Sequence, residues 1–226
     1  MTAPLIRRLA AEAFGTFVLV FAGTGAIVFG VPHVGVAFAF GLAVMAMVYA
    51  VGGVSGAHLN PVVTLGFALA GHFRAKDVFP YILSQFAGAF AASALLLAIT
   101  PFEPHRLGQT LPGIGVLPRD ALVVEAILTL VLMYSILSVV AAKPEVKALS
   151  GLIVGGVVGL EALFAGPITG ASMNPARSLA PAILSGSLDH LWIYLTAPFV
   201  GALVAVPLCA CVQAPGCCSR SKEASS

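Results

Sequence analysis

The sequence predicts an all-α membrane protein: six transmembrane helices and two re-entrant half-helices, arranged as an inverted repeat within one domain, residues 1–226. Three observations carry this reading. Only 9% of the residues are charged and 59% are hydrophobic, whereas a soluble domain carries about 25% charged residues. Six apolar stretches are long enough to cross a bilayer, which takes roughly 20 residues. Two motifs recur 113 and 114 residues later, the separations of Glu12 from Glu125 and of Asn60 from Asn174.

The first span is expected near residues 8–30. Arg7 and Arg8 precede it, as in a signal peptide, but the run is long enough to span and contains Glu12. The second is expected near 34–52. His58–Ala70 follows, a mildly apolar segment with Asn60-Pro61 near its start and only about three turns of helix, too short to cross alone. Spans are then expected near 80–99, 119–141 and 148–166. A second short segment, Met173–Leu184, carries Asn174-Pro175, and the last span is expected near 190–212. Residues 213–226 form a tail. Cys209, Cys211, Cys217 and Cys218 cluster at this end, a local feature rather than a disulfide framework spread over a fold.

The repeat is the most specific signal. Ala11-Glu12-Ala13-Phe14-Gly15-Thr16-Phe17-Val18-Leu19 aligns with Val124-Glu125-Ala126-Ile127-Leu128-Thr129-Leu130-Val131-Leu132. Ser55-Gly56-Ala57-His58-Leu59-Asn60-Pro61 aligns with Thr169-Gly170-Ala171-Ser172-Met173-Asn174-Pro175. Repeat one covers about 1–100 and repeat two about 118–212. Each holds three spans, so the second enters from the opposite face. Inverted repeats of this kind put sites at the midplane, where discontinuous helices meet.

Basic residues set the orientation. Arg7, Arg8, Arg74, Lys76, Lys143, Lys147, Arg220 and Lys222 share one side, and Arg106 and Arg119 fall on the other. The first side, with both termini, is expected to be cytoplasmic.

Proline is favoured at the first helical position, where its missing N–H costs nothing, and Asn is a good N-cap before it. Two short helices entering from opposite faces can abut through their positive dipole ends. Asn60 and Asn174 then point amide donors into a lumen, and cations and protons are excluded. A pair of capped loops with a packing role alone is the bland alternative. Glu12 and Glu125 are repeat-equivalent acids inside spans. They are expected to accept hydrogen bonds from re-entrant loop N–H groups; the alternative is direct solute or proton handling. Arg177, three residues after Asn174, brings five donors and a fixed charge to a pore mouth, or else snorkels to the interface. His58 either lines the lumen or braces its loop. Trp192 fits an interfacial aromatic belt.

The runs at 55–61 and 170–178 (Gly-Ala-Ser-Met-Asn-Pro-Ala-Arg-Ser) resemble the two signature loops of the major intrinsic proteins, the aquaporins and aquaglyceroporins. The resemblance covers nearly the whole chain. It implies a right-handed six-helix bundle, a homotetramer with one pore per subunit, and a constriction at Asn60, Pro61, Val62, Asn174, Pro175 and Ala176. Val62 stands where most members have Ala. The run from Gly166 to Pro175 is similar to the nodulin-26-like branch and its bacterial relatives. The family's aromatic/arginine filter, carried over by distance from each Asn, falls on Phe40, Ala162, Ala171 and Arg177. Water-selective members have His at the position of Ala162, so the resemblance implies a wider, half-apolar lumen here. Glu161 departs from the Asn common in that branch. Pairing with Arg177, pairing with a loop amide, and facing a neighbouring subunit are all open to it.

The resemblance implies passive conduction of small uncharged solutes (glycerol, urea, arsenous, antimonous and boric acid) with some water. A water-dominated channel, a general glycerol facilitator, a coupled secondary transporter and a closed structural protein are the alternatives. No enzyme is expected, because no nucleophile–base or metal-ligand spacing lies within the spans. The expected partners are membrane lipid, solutes, water and further copies of the chain, with no nucleic acid, cofactor or metal. The expected location is the cell membrane, taken as a bacterial inner membrane. The tail thiols Cys209, Cys211, Cys217 and Cys218 are soft ligands suited to trivalent arsenic; palmitoylation or no role are the alternatives.

Overall fold

A computed structural model describes residues 3–100, 107–213 and 217–218. Among these residues the secondary structure is helical, without strands. Six helices are long and apolar enough to cross a membrane: α1 (Leu5–Val28), α2 (His33–Ser55), α4 (Ala75–Ile99), α5 (Pro118–Ala141), α7 (Ser150–Thr169) and α9 (Leu191–Val212). Two half-helices lie between them, α3 (Pro61–Leu69) and α8 (Pro175–Ser185). A single turn, α6 (Pro144–Lys147), links α5 to α7.

Four span boundaries differ from the sequence reading by three residues or more: α1 starts at Leu5, α2 runs on to Ser55, and the other two fall at prolines. α4 begins at Ala75, five residues ahead of Pro80, because its first turn is held by a buried ion pair from Asp77 Oδ2 to Arg8 Nη2, 2.9 Å. α7 continues through Pro167 to Thr169. Arg8 is therefore a buried partner of Asp77 rather than a free basic flank. Arg106, Arg220 and Lys222, counted in the charge asymmetry, lie outside the described residues.

Packing follows the repeat. α1 packs on α4 and α2, as α5 packs on α9 and α7, and α2 crosses α7 where the halves meet. Repeat-equivalent glycines sit at the crossings. A Cβ at Gly88 would lie 2.0 Å from the Ala13 carbonyl oxygen between α4 and α1. A Cβ at Gly201 would lie 2.2 Å from that of Ala126 between α9 and α5. Gly41 and Gly155 face each other, each Cβ position within 2.7 Å of the other's carbonyl oxygen. Without a hydrophobic driving force between helices in lipid, small residues that let backbones approach supply the packing. The outer surface is apolar, with Phe14, Leu42, Ile127, Leu160 and Leu203 exposed.

Candidate functional site

The half-helices meet head to head. Each is capped by its Asn: Asn60 Oδ1 accepts from Val62 N at 3.0 Å, and Asn174 Oδ1 accepts from Ala176 N at 3.0 Å and Arg177 N at 3.4 Å. Pro61 and Pro175 occupy the first helical positions, where no N–H is needed. The Asn amides then lock the two loops together. Asn60 Nδ2 donates to Met173 O at 2.8 Å, and Asn174 Nδ2 donates to Leu59 O at 2.9 Å. Each Asn retains a second amide hydrogen beside the lumen.

The loops that deliver these caps are strained in the same way twice. α2 and α7 end in left-handed Gly56 and Gly170, and Ala57, Leu59, Ala171 and Met173 all have φ between 41° and 54°. A left-handed non-glycine residue costs roughly 1–2 kcal/mol, so something must hold each loop. Glu12 accepts from Ser55 Oγ (2.7 Å), His58 N (2.9 Å), Leu59 N (2.7 Å) and Gln85 Nε2 (2.8 Å). Glu125 accepts from Thr169 Oγ1 (2.7 Å), Ser172 N (2.8 Å) and Met173 N (2.9 Å). Both acids are fully buried and absent from the cavity lining, and their hydrogen bonds hold the loops. Tyr81 and Tyr194 add a matching pair of bonds, donating to Ser55 O at 2.9 Å and Thr169 O at 2.7 Å.

A cavity of about 400 Å³ runs from Lys147 and Ser150, past His58, to Asn60 and Asn174, and on to Phe40, Ala171 and Arg177. Its lining contains no acid. His58 both lines it and contacts Thr64 Oγ1 through Nδ1 at 3.1 Å, with Phe67, Phe73 and Tyr81 around its ring. Val62 and Ala176 are buried behind the lining, giving their N–H groups to the caps. Ala162 is buried on α7 one turn from Val158; Val158 is in the lining and Ala162 is not.

Arg177 is 1% exposed and does not snorkel. Its Nη1 donates to Gly108 O at 2.7 Å, and its guanidinium lies 5.1 Å from the Phe40 ring centre. Among the described residues Nε and Nη2 have no hydrogen-bond partner, which leaves donors for a passing oxygen. The segment before α5 supports this arrangement: Thr110 Oγ1 donates to Ser178 Oγ at 2.8 Å, and Gly113 N donates to Ile168 O at 2.8 Å. Gly23 seats Phe40, since a Cβ there would lie 2.2 Å from two ring carbons. Gly23, Gln85 and the Gly108–Thr110 segment were not singled out from sequence. Gln85 and Thr110 are ordinary polar residues there, and only the fold brings them to Glu12 and Ser178.

Glu161 is 2% exposed, and neither carboxylate oxygen has a hydrogen-bond partner among the described residues, so pairing with Arg177 or a loop amide is not what it does. Trp192 is exposed in the first turn of α9. The four cysteines do not form one group. Cys209 and Cys217 are joined in a disulfide, and Cys211 and Cys218 are free. Among the described residues no group of three or more His, Cys, Asp or Glu is disposed to hold a metal ion.

The pattern of the family described as major intrinsic protein matches residues 1–208. The chain is 46% identical over 207 residues to aquaporin NIP1-4 of Oryza sativa subsp. japonica, covering 89% of this chain and 75% of that one. It is 39% identical over 220 residues to aquaporin Z of Photorhabdus laumondii, covering 88% of this chain and 94% of that one. The X-ray structure of the aquaglyceroporin from Plasmodium falciparum superposes with a TM-score of 0.83 at 26% identity, covering 92% of this chain and 100% of that one. Paired Asn caps, two acid-braced loops and an arginine at the lumen thus sit in a familiar bundle, and the chain belongs to the major intrinsic protein family of membrane channels.

Proposed function

We propose that this channel passively conducts small uncharged hydroxylated solutes: arsenous, antimonous and boric acid, glycerol and urea, with some water. The observation that carries the reading is that Phe40, Ala171 and Arg177 line one end of the cavity; Ala162, buried one turn from the lining residue Val158, is assigned to a ring with them by its distance from Asn174. Two of its positions are methyl-sized, one is aromatic, and Arg177 keeps unpartnered donors. A hydroxyl oxygen can take those donors while a carbon chain or a metalloid centre passes the apolar side. Similarity to the Plasmodium aquaglyceroporin supports a solute larger than water. Opposed positive helix ends and Arg177 disfavour cations and protons. A lumen lined by Lys147 and Arg177 and by no acid favours a pore over an ion-coupled carrier.

The same reading makes the whole chain one pore-forming domain in a homotetramer in the cell membrane, with both termini cytoplasmic. Arg7, Arg74, Lys76, Lys143 and Lys147 on the N-terminal face support that orientation. Plant and bacterial relatives match alike, which leaves the bacterial inner membrane without separate support.

A proteoliposome swelling series over water, glycerol, urea and arsenous acid tests the proposal, with Ala162→His/Ala171→Cys as the comparison at matched insertion. Flux should be linear in gradient and independent of ions. The double variant should lose glycerol and arsenous acid far more than water. Equal loss of water and arsenous acid would remove this ring as the size filter.

A further inference from the structure

Beyond α9, Cys217 lies against the N-terminal face of the bundle. Cys209, in the last turn of α9, and Cys217, beyond the helix, are 0% and 1% exposed, and their sulfurs are directly bonded. His72, in the loop after α3, donates through Nε2 to Cys217 O at 2.7 Å. Phe73, the next residue, lies edge-on 4.8 Å from the ring of His58, which lines the lumen. The sulfur pair therefore sits beside the loop after α3, whose Phe73 packs on the cavity-lining His58. Cys218 is occupied elsewhere, its thiol donating to Val206 O at 3.2 Å, and burial pushes its pKa up. Cys211 is exposed.

On the orientation proposed above this face meets the cytosol, which is reducing and holds disulfides open as thiols; the dithiol state rests on that orientation. Two thiols that can bond to each other are close enough to share one ligand atom. We propose that Cys209 and Cys217, as the dithiol, form a binding site for trivalent arsenic or antimony at the mouth of the pore. The assignment of a metalloid as the permeating solute rests on the filter reading above; the dithiol site itself does not. The step balances without redox change. Arsenous acid loses two hydroxyl groups, each leaving as water with a thiol proton, and two S–As bonds form. Arsenic stays trivalent and keeps its third hydroxyl.

The surroundings select this class of ligand. Both sulfurs belong to an apolar cluster that includes Phe73. An uncharged dithioarsenite product fits such a site. A divalent cation would need thiolates and further charged ligands, and none stands nearby among the described residues.

The test uses the full chain in detergent, reduced with a phosphine that is then removed. The phosphine takes oxygen from water and leaves two thiol protons on the sulfurs. Arsenous acid, phenylarsine oxide and zinc are offered separately, and bound element per protomer is measured after gel filtration. The expected result is about one arsenic per protomer with either arsenical and no zinc. Retention should persist in Cys211→Ser and Cys218→Ser and disappear in Cys217→Ser, Cys217→Ala and Cys209→Ala. Thermal melting of each variant reports folding, and the two Cys217 variants, altered outside the helix, keep the test readable if Cys209→Ala is unstable. Arsenic retained without Cys217, zinc bound equally well, or no arsenic on the reduced parent would each overturn the site. Binding here involves no conduction, so a channel that fails the swelling series can still pass this test, and the converse also holds.

Discussion

Gly23→Ala tests the seating of the filter. The new Cβ would sit 2.2 Å from Phe40 Cδ1 and Cε1, where ordinary contact begins at 3.4 Å. The Phe40 ring must therefore retreat by more than an ångström. Phe40 borders the cavity, with the Arg177 guanidinium 5.1 Å from its ring centre, so the retreat is expected toward the lumen. Overpacking of this kind costs about 1–3 kcal/mol. If roughly half of that appears as a barrier to a solute that fills the lumen, flux falls about two- to tenfold, since about 1.4 kcal/mol is a factor of ten. Water, which needs less clearance, should fall by less than about threefold on the same reasoning. Stopped-flow light scattering on proteoliposomes reads both permeabilities. Phe40→Leu shortens the clashing side chain, so the double variant should behave like Phe40→Leu alone, with a coupling of about 1 kcal/mol in the double-mutant cycle. Glycerol and water falling in equal proportion, or a well-inserted Gly23→Ala with unchanged glycerol flux, would refute the reasoning.

Asn174→Asp keeps the cap on Ala176 N and Arg177 N but replaces the donor to Leu59 O with an acceptor; glycerol flux should drop at least about fivefold, since losing a buried hydrogen bond costs about 1–3 kcal/mol, and unchanged flux in inserted protein counts against the donor role. Glu12→Gln turns an acceptor of four hydrogen bonds into a group with one acceptor oxygen and an amide facing donors; it should cost about 2–5 kcal/mol and lower the melting temperature in detergent. Glu125→Gln, with three donors rather than four, should lower it less. Arsenous acid flux should fall as pH rises through the first ionisation of the acid, because the neutral form escapes the desolvation that excludes its anion; a flat profile across that range would contradict passage of the neutral form.

Much of this arrangement was legible because inversion prints itself in the chain. Glu12 and Glu125, and the two Asn-Pro pairs, recur at one spacing, and no packing of unrelated helices requires that. The six spans were visible as apolar runs. Their ends were less so at Pro80 and Pro167, because a buried ion pair in one case and a braced loop in the other carry helix past a residue that usually marks a boundary. The donors around each carboxylate were legible only in part. Loop N–H groups follow from the motif itself, but Gln85 lies 73 residues from Glu12 and reaches it only through the α1–α4 crossing at Gly88. Arg177 was expected near a pore mouth; its anchor at Gly108 was not, since a carbonyl carries no mark in the sequence.

The inversion also shows where the halves part company, and the departures are where the lumen acquires its chemistry. The bracing is common to both: Ser55 and Thr169, Tyr81 and Tyr194, Gly88 and Gly201 perform matched tasks. The lining is not. Arg177 has Val63 as its counterpart, so one half supplies the only charge at the constriction. His58 faces Ser172 in the same sense, an aromatic base in one loop and a small hydroxyl in the other, each held by the hydroxyl six residues on. Gln85 is matched by Pro198, which has no amide to give, so Glu125 lacks the fourth donor that Glu12 has. Glu161, on α7 of the same half, is buried with both carboxylate oxygens unpartnered among the described residues. The second half therefore carries both Arg177 and the less satisfied acids. A substitution of Glu125, whose loop leads into Arg177, should disturb selectivity and stability together, whereas one of Glu12, which Gln85 also braces, should act mainly on stability.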